Sequence, residues 1–160
     1  VFLLGRTRTT QRALFVLVAG GALIDLRFKT PLEPYYATLP PIYSRVTPDM
    51  VLAEFPMRLA PNLAYMYFST FHRARLINGH SAYWPDGYWD LERAMEHFPE
   101  NNLLQRLRDR GATHVTVNCR LFSEPRRCAP LLDIMDKMPE LERISSSRWE
   151  EFEVRLYRLP

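Results

Sequence analysis

The stretch Val51-Leu52-Ala53-Glu54-Phe55 decides the fold, because it is a short apolar run with Pro48-Asp49 before it and Pro56 after it. A continuous apolar run of this length between turn-forming residues is typical of a buried strand. A single carboxylate, that of Glu54, interrupts the run. The sequence therefore predicts a buried strand that carries one ionisable group.

Three helices are predicted downstream of this strand from apolar residues that recur at helical spacing. The first follows Asp90, a good N-cap residue, and ends at Pro99. The second follows Asn101 or Asn102, and the third ends at Pro139.

Alternating apolar and polar residues predict further strands. Apolar and polar residues alternate over 115–118, which predicts one strand. They alternate also over 152–156, which predicts a second strand that is expected to pair with 141–145 in a hairpin. Strand, helices, strand, helix and hairpin in this order predict an α/β fold, with a small mixed sheet and covering helices.

Composition and charge exclude several classes of protein. The chain has 160 residues, of which 47% are hydrophobic and 24% charged, so a disordered or fibrous chain is excluded. Residues 1–48 carry six basic and two acidic residues, whereas residues 49–160 carry fifteen basic and sixteen acidic ones. The excess of basic residues therefore belongs to the N-terminal segment, and no nucleic-acid-binding face is predicted.

The N-terminal segment combines an arginine cluster with the apolar run from Ala13 to Ile24. As a helix, this run spans roughly 18 Å, less than the roughly 30 Å of a bilayer core, but Arg12 and Arg27 at its ends can snorkel. With basic residues on one side, the positive-inside rule predicts a cytoplasmic loop and the last transmembrane helix over 1–27. A buried helix of a soluble protein and a signal-like segment are the alternatives.

The residues after this segment are predicted to form a linker followed by a domain. Residues 28–48 contain five prolines, which favour an extended linker, and residues 49–160 are predicted to be an exported soluble α/β domain. A long surface loop wrapped on the domain is the alternative, with the same boundary near residue 48.

The most unusual stretch is 65–89, which holds eight of the twenty aromatic residues together with polar and charged side chains. Aromatic faces beside hydrogen-bonding groups suit a sugar, which stacks its C–H faces and needs partners for its hydroxyls. The alternative is that the aromatic residues close the core, with Asn78-Gly79 as a turn. The candidate substrate-binding residues are Glu54, His72, Arg73, Arg75, Asn78, His80, Trp84 and Trp89.

A buried carboxylate needs a cation or several hydrogen-bond donors. The nearest donors along the chain predict that Glu54 pairs with His72, Arg73 or Arg75 and folds the aromatic segment over the end of the sheet, beside the best concave surface of the domain. A general acid is the alternative role for Glu54. Because His72 and His80 lack a third soft ligand nearby, no metal site is predicted.

No catalytic or cofactor motif is present. The sequence contains no GxSxG elbow, P-loop, GxGxxG or HExxH motif, so no catalytic residue and no cofactor are predicted. Cys119 and Cys128 are the two cysteines of the chain, and they flank one loop. Placed outside the cytoplasm, they are predicted to form a disulfide, and two free, partly buried thiols are the alternative.

Three segments carry a resemblance to a known family: Val51–Pro56, Tyr65–His72 and Leu76–Ser81, with a later match at Gly111–Val115. Over residues 13–158 the chain resembles the C-terminal exported region of polytopic bacterial membrane proteins of the GT-C glycosyltransferase type. His80 stands where that family usually has an aromatic residue.

The resemblance implies that the chain belongs to an enzyme that moves a sugar from a polyprenyl-phosphate donor. In such enzymes the catalytic carboxylates lie in exported loops near the N-terminal membrane helices, so no residue here inherits a catalytic role. The implied partners are the membrane, the rest of a polytopic chain, and a glycan or polyprenyl-phosphate-linked sugar. The implied location is the bacterial inner or plasma membrane, with residues 28–160 on the periplasmic or extracellular side.

The sequence leaves three functions open. The first is a non-catalytic exported domain of a membrane glycosyltransferase that contacts glycan or acceptor or supports the membrane region. The second is a membrane-tethered binding or assembly module unrelated to sugar transfer. The third is a soluble enzyme that uses Glu54, His72 or His80.

Overall fold

The computed structural model describes four segments of the chain: residues 8–25, 38–80, 83–99 and 102–160. The chain divides into two compact units, Val1–Tyr35 and Tyr36–Pro160.

The first unit contains one described helix, α1, which runs from Arg8 to Asp25 over 18 residues and has no buried residue. The helix predicted around Ala13–Ile24 is therefore confirmed as far as Asp25, and Leu26 and Arg27 lie outside the described residues. Within the four described segments, no helix has the length and apolar character required to cross a bilayer.

The second unit contains four helices, five strands and three short 3₁₀ helices among its described residues. In chain order the main elements are β1 (Val51–Phe55), α2 (Leu59–His72), β2 (Arg75–Leu76), α3 (Tyr88–Glu96), α4 (Leu103–Asp109), β3 (His114–Asn118), α5 (Cys128–Met135), β4 (Glu142–Trp149) and β5 (Phe152–Arg158). The 3₁₀ helices are Pro41–Arg45, Cys119–Leu121 and Pro125–Arg127.

The five strands form one mixed sheet in the order β2-β1-β3-β5-β4. Strand β1 runs parallel to β2 and β3, whereas β5 runs antiparallel to both β3 and β4. The α/β class, the mixed sheet and the C-terminal hairpin are therefore as the sequence predicts.

Strand β1 lies inside the sheet and is buried along its whole length. Successive side chains of a strand point to opposite faces. Ala53 and Phe55 therefore pack into one apolar core with α3, α4 and α5, and Leu52 packs into a second core with α2. Glu54 shares the α2 side with Leu52, and its register partner on β3 is Thr116.

Helix α2 was not predicted from the sequence. Pro61 sits in its first turn, where a missing N–H costs little, and the helix ends at Arg73, which takes the left-handed conformation with φ of 59°. The helix is apolar on more than one side, so its sequence lacks the single apolar stripe from which a surface helix is recognised.

The predicted linker over 28–48 is wrong for its described part. The 3₁₀ helix Pro41–Arg45 and the residue after it pack into the α2-side core through Ile42, Tyr43 and Val46, which are at most 7% exposed. Residues 38–48 therefore belong to the domain, because their apolar side chains complete that core. Residues 28–37 lie outside the described residues.

The predicted disulfide is confirmed. Cys119, directly after β3, and Cys128, at the start of α5, are bonded with their Cα atoms 5.3 Å apart. The bond ties the end of β3 to a helix that covers the sheet.

Candidate functional site

The carboxylate of Glu54 is fully buried and is held by two hydroxyl groups. Tyr43 Oη lies 3.2 Å from Oε1 and 3.1 Å from Oε2, and Thr116 Oγ1 also donates to Oε2. Burial raises the pKa of Glu54 to about 7, although the hydrogen bonds from Thr116 and Tyr43 oppose this rise. Near neutral pH the group therefore takes up a proton easily.

The predicted pairing of Glu54 with His72, Arg73 or Arg75 is wrong. Arg73 and Arg75 are exposed, and no cation among the described residues lies within ion-pair distance of the carboxylate. The physical reason is that the two hydroxyl donors come from residues distant in sequence, and a carboxyl group with a raised pKa does not need a full counter-charge.

His72 belongs to the same buried region but does not reach Glu54 directly. Its ring stacks on Tyr43 with centroids 4.9 Å apart, and its Nδ1 accepts a hydrogen bond from the Ala74 amide at 3.1 Å. Burial lowers the pKa of His72 to about 4, so the ring is neutral at physiological pH. In the described segments, no group of three or more His, Cys, Asp or Glu side chains could hold a metal ion.

The main chain of Glu54 makes a different set of contacts, with the side chain of Asn78. Asn78 Oδ1 accepts from the Glu54 amide at 3.0 Å, and Asn78 Nδ2 donates to the Glu54 carbonyl at 3.0 Å. Since β2 ends at Leu76, the Asn78 amide supplies the donor and acceptor that the next strand residue would otherwise provide. One side chain thus anchors the following loop to β1.

The hydrogen bonds continue from Asn78 towards α3. Asn78 Nδ2 also donates to Asn62 Oδ1 at 2.9 Å, and Asn62 Nδ2 donates to Tyr88 Oη. Asn62, Asn78 and Tyr88 are at most 2% exposed. We call this set the buried amide chain; it links β1 to the first residue of α3.

An aromatic cluster lies directly above this chain. Trp84 contacts three rings at tilted angles, with centroid distances of 4.0 Å to His80, 4.5 Å to Tyr88 and 4.6 Å to Trp89. Trp84 is 36% exposed and Trp89 is 53% exposed. We call these four residues the aromatic surface, because its indole rings are held in place yet remain open to solvent.

The structure gathers only part of the predicted site. It brings Asn78, His80, Trp84 and Trp89 together, whereas His72 points into the Tyr43 region, and Arg73 and Arg75 are exposed. Sequence reasoning missed Tyr43, Asn62 and Thr116 as supporting residues. Asn62 could have been noticed, since it is an amide within the otherwise apolar stretch 59–68.

The most enclosed of the described clefts lies elsewhere. It has a volume of about 400 Å³ at the carboxyl ends of β1 and β3, where α/β sheets commonly bind ligands. No residue of the segment 65–89 lines it, so the prediction that the aromatic segment borders the best concavity is wrong. Its rim carries the ion pairs Arg58–Glu96 and Arg127–Glu124, at 3.0 Å and 3.2 Å, so its charges are balanced.

Comparison with known proteins returns no match. No family model, no curated protein and no solved structure is similar to this chain. Fold and site define a disulfide-bonded mixed α/β domain that presents an ordered aromatic surface.

Proposed function

We propose that this chain is a non-catalytic exported domain of a polyprenyl-phosphate-dependent bacterial membrane glycosyltransferase, and that it contacts glycan through the aromatic surface. The observation that carries the glycan contact is the pair of exposed indoles, Trp84 and Trp89, held from beneath by the buried amide chain.

Sugar recognition follows from the chemistry of this surface. The C–H face of a pyranose packs on an indole ring, and its hydroxyl groups require hydrogen-bonding partners at the ring edge. Asp86 and Asp90 are exposed on either side of α3's first residue and can accept such bonds. A surface ordered before binding also loses less conformational entropy when ligand arrives.

The position of the domain outside the cytoplasm is supported by the disulfide. Such bonds persist in oxidising compartments and are rare in the cytosol. Membrane attachment through residues 1–27 is supported by the arginine cluster beside the apolar run Ala13–Ile24. The link to sugar transfer is supported by the resemblance over residues 13–158.

A non-catalytic role is supported by the burial of Glu54. Its carboxylate is 0% exposed and both of its oxygens accept hydrogen bonds from within the core. A general acid must lie within hydrogen-bond reach of a substrate atom. We therefore assign Glu54 a structural role, and Asn78 the role of a positioning residue for the aromatic surface.

One observation favours the alternative, a membrane-tethered binding or assembly module unrelated to sugar transfer. Helix α2 exposes a row of large apolar side chains, which glycan binding does not explain.

The glycan proposal is tested by NMR titration of the full chain with oligosaccharides and with polyprenyl-phosphate headgroup mimics. We expect the indole signals of Trp84 and Trp89 to shift, and Trp84→Ala to weaken binding about fivefold, since one stacking contact contributes about 1 kcal/mol. Tyr67→Ala, which removes an exposed aromatic ring from α2, is the matched control. Equal affinities for the two variants would contradict the proposal.

A further inference from the structure

The outer face of α2 carries four large apolar side chains at intervals of four residues. Leu59, Leu63, Tyr67 and Phe71 are 55%, 43%, 42% and 53% exposed. Residues four apart lie on the same side of a helix, so the four form one continuous stripe. Tyr67 and Phe71 are in edge-to-face contact at 5.3 Å, which makes that end of the stripe a packed surface.

The opposite face of α2 is already used. Ala64, Tyr65 and Phe68 are at most 1% exposed and pack into the core of the domain. None of the 14 residues of the helix is Asp, Glu, Lys or Arg. A helix that is apolar on both sides is normally covered on both sides, so the outer stripe has the character of a docking face.

The stripe continues towards the described beginning of the domain. Phe71 lines a cleft of about 290 Å³ together with Leu39, Pro40 and Pro41. The apolar stripe is therefore continuous with the apolar residues at positions 39–41.

Basic residues occur in the segments that meet at this end of the helix. Arg73 directly follows α2, and Arg75 is the first residue of β2. The stacking of Tyr43 on His72 places the 3₁₀ helix that ends at Arg45 beside the end of α2. All three arginines are exposed, and among the described residues none of them forms an ion pair. An apolar stripe that contains a tyrosine and is bordered by unpaired arginines is complementary to an anionic phospholipid surface.

We infer that the outer face of α2 lies on a bilayer containing anionic phospholipid. Leu63, Tyr67 and Phe71 enter the boundary between headgroups and acyl chains, while Arg73 and Arg75 contact lipid phosphates. The inference rests on the membrane attachment in the proposed function, but it uses none of the residues of the aromatic surface.

The test places an environment-sensitive fluorescent label on the full chain at Leu63→Cys. The two native cysteines are bonded to each other, so under non-reducing conditions only the introduced thiol reacts. Ile134→Cys is the matched control, because Ile134 is 42% exposed on α5, which packs on the other face of the sheet. Tyr67→Cys provides a second label position on α2 if the first variant folds poorly.

Protein and vesicles of phosphatidylcholine with phosphatidylglycerol are floated together, and label emission is recorded. We expect a blue shift at position 63 and none at position 134. We expect the shift at position 63 to be lost when Tyr67 and Phe71 are both changed to Gln, because the stripe then no longer enters the bilayer. A chain that floats with vesicles while the label at 63 is unshifted overturns the α2 inference and leaves membrane attachment intact. If the chain does not float with the vesicles, both the α2 inference and the proposed membrane attachment are overturned.

Two further outcomes assign the stripe to another occupant. A blue shift at position 63 that appears without vesicles and grows with protein concentration shows that a second copy covers the stripe. Equal shifts at 63 and 134 show that the domain has no preferred face on the membrane. Either result overturns the inference.

Discussion

Two regions of this domain are built on the same residue, Glu54, and they use different parts of it. The side chain of Glu54 enters the α2-side core, where Tyr43 and Thr116 hold an ionisable carboxyl group. The main chain of Glu54 binds Asn78, which begins the buried amide chain beneath the aromatic surface. The first region titrates near neutral pH, whereas the second is held by amide groups that do not titrate.

The difference teaches that the order of the aromatic surface does not depend on the charge of Glu54. A strand supplies hydrogen-bonding groups in the plane of the sheet and side chains perpendicular to it, so one residue serves two independent environments. The predictions below test this independence.

The largest effect is expected for Asn78→Leu. This change removes the bonds to the Glu54 amide, the Glu54 carbonyl and Asn62, and each buried group left unpaired costs about 1–3 kcal/mol. We expect the free energy of unfolding to fall by roughly 3–5 kcal/mol, and the indole N–H signal of Trp84 to report a loosened loop. Denaturant unfolding measures the first and NMR spectra the second. Gln105→Leu, at an exposed amide side chain within α4, should cost less than about 1 kcal/mol. If the variant loses stability while the environment of Trp84 is unchanged, Asn78 does not hold the aromatic surface in place, and the account is contradicted.

Glu54→Gln should change the pH dependence of the free energy of unfolding and leave the loop that carries Trp84 unchanged. The folded-state pKa of Glu54, about 7, lies above its ordinary value of 4.5, so the folded state binds the proton more tightly. The contribution of Glu54 to stability is therefore complete below pH 4.5 and is lost as the pH rises through 7, a change of about 3 kcal/mol. The variant should lack this decline in unfolding experiments between pH 4.5 and 8. An altered Trp84 signal in the variant would show that the order of the aromatic surface depends on the charge of Glu54, contrary to the account.

Replacing Cys119 and Cys128 by alanine should lower the free energy of unfolding by about 2.5–3 kcal/mol, because the loop they close is short. The bond lies at the end of β3 and touches neither region of the comparison. We expect the loss to be equal at pH 5 and pH 8 and the aromatic surface to remain ordered. A loss that changes with pH would show that the Glu54 region is coupled to the whole fold.

His72→Gln should change the pH dependence of stability in the opposite sense to Glu54→Gln. Burial depresses the pKa of His72 from 6.5 to about 4, so its contribution is complete above pH 6.5 and is lost as the pH falls towards 4. Between pH 4.5 and 6.5 the effects of Glu54 and His72 oppose each other, and the unmodified chain should show a shallow pH profile. A variant at His72 whose stability still declines towards pH 4 would contradict this assignment.

Local patterns were enough to predict much of the fold. The apolar run around Glu54, the helical spacing in α3 to α5, and the alternation in β3 and β5 each reflect contacts that repeat along one element. The disulfide was also predictable, since Cys119 and Cys128 have no other partner in the chain.

The rest depended on contacts between residues far apart in sequence. Tyr43 reaches Glu54 from a proline-rich segment that reads as a linker, and Thr116 reaches it from β3. Helix α2 gave no amphipathic signal because both of its faces are apolar. Asn78 was correctly singled out, but its binding to a strand main chain could not be distinguished from an ordinary turn with Gly79.

The most direct test of the account is an oligosaccharide titration of the unmodified chain, Glu54→Gln and Asn78→Leu at one pH, observed through the indole N–H signals of Trp84 and Trp89. The account predicts that the unmodified chain and Glu54→Gln give the same shifts and the same affinity, and that Asn78→Leu loses both. Signals that never move, or an affinity that is lost in Glu54→Gln and retained in Asn78→Leu, would contradict it.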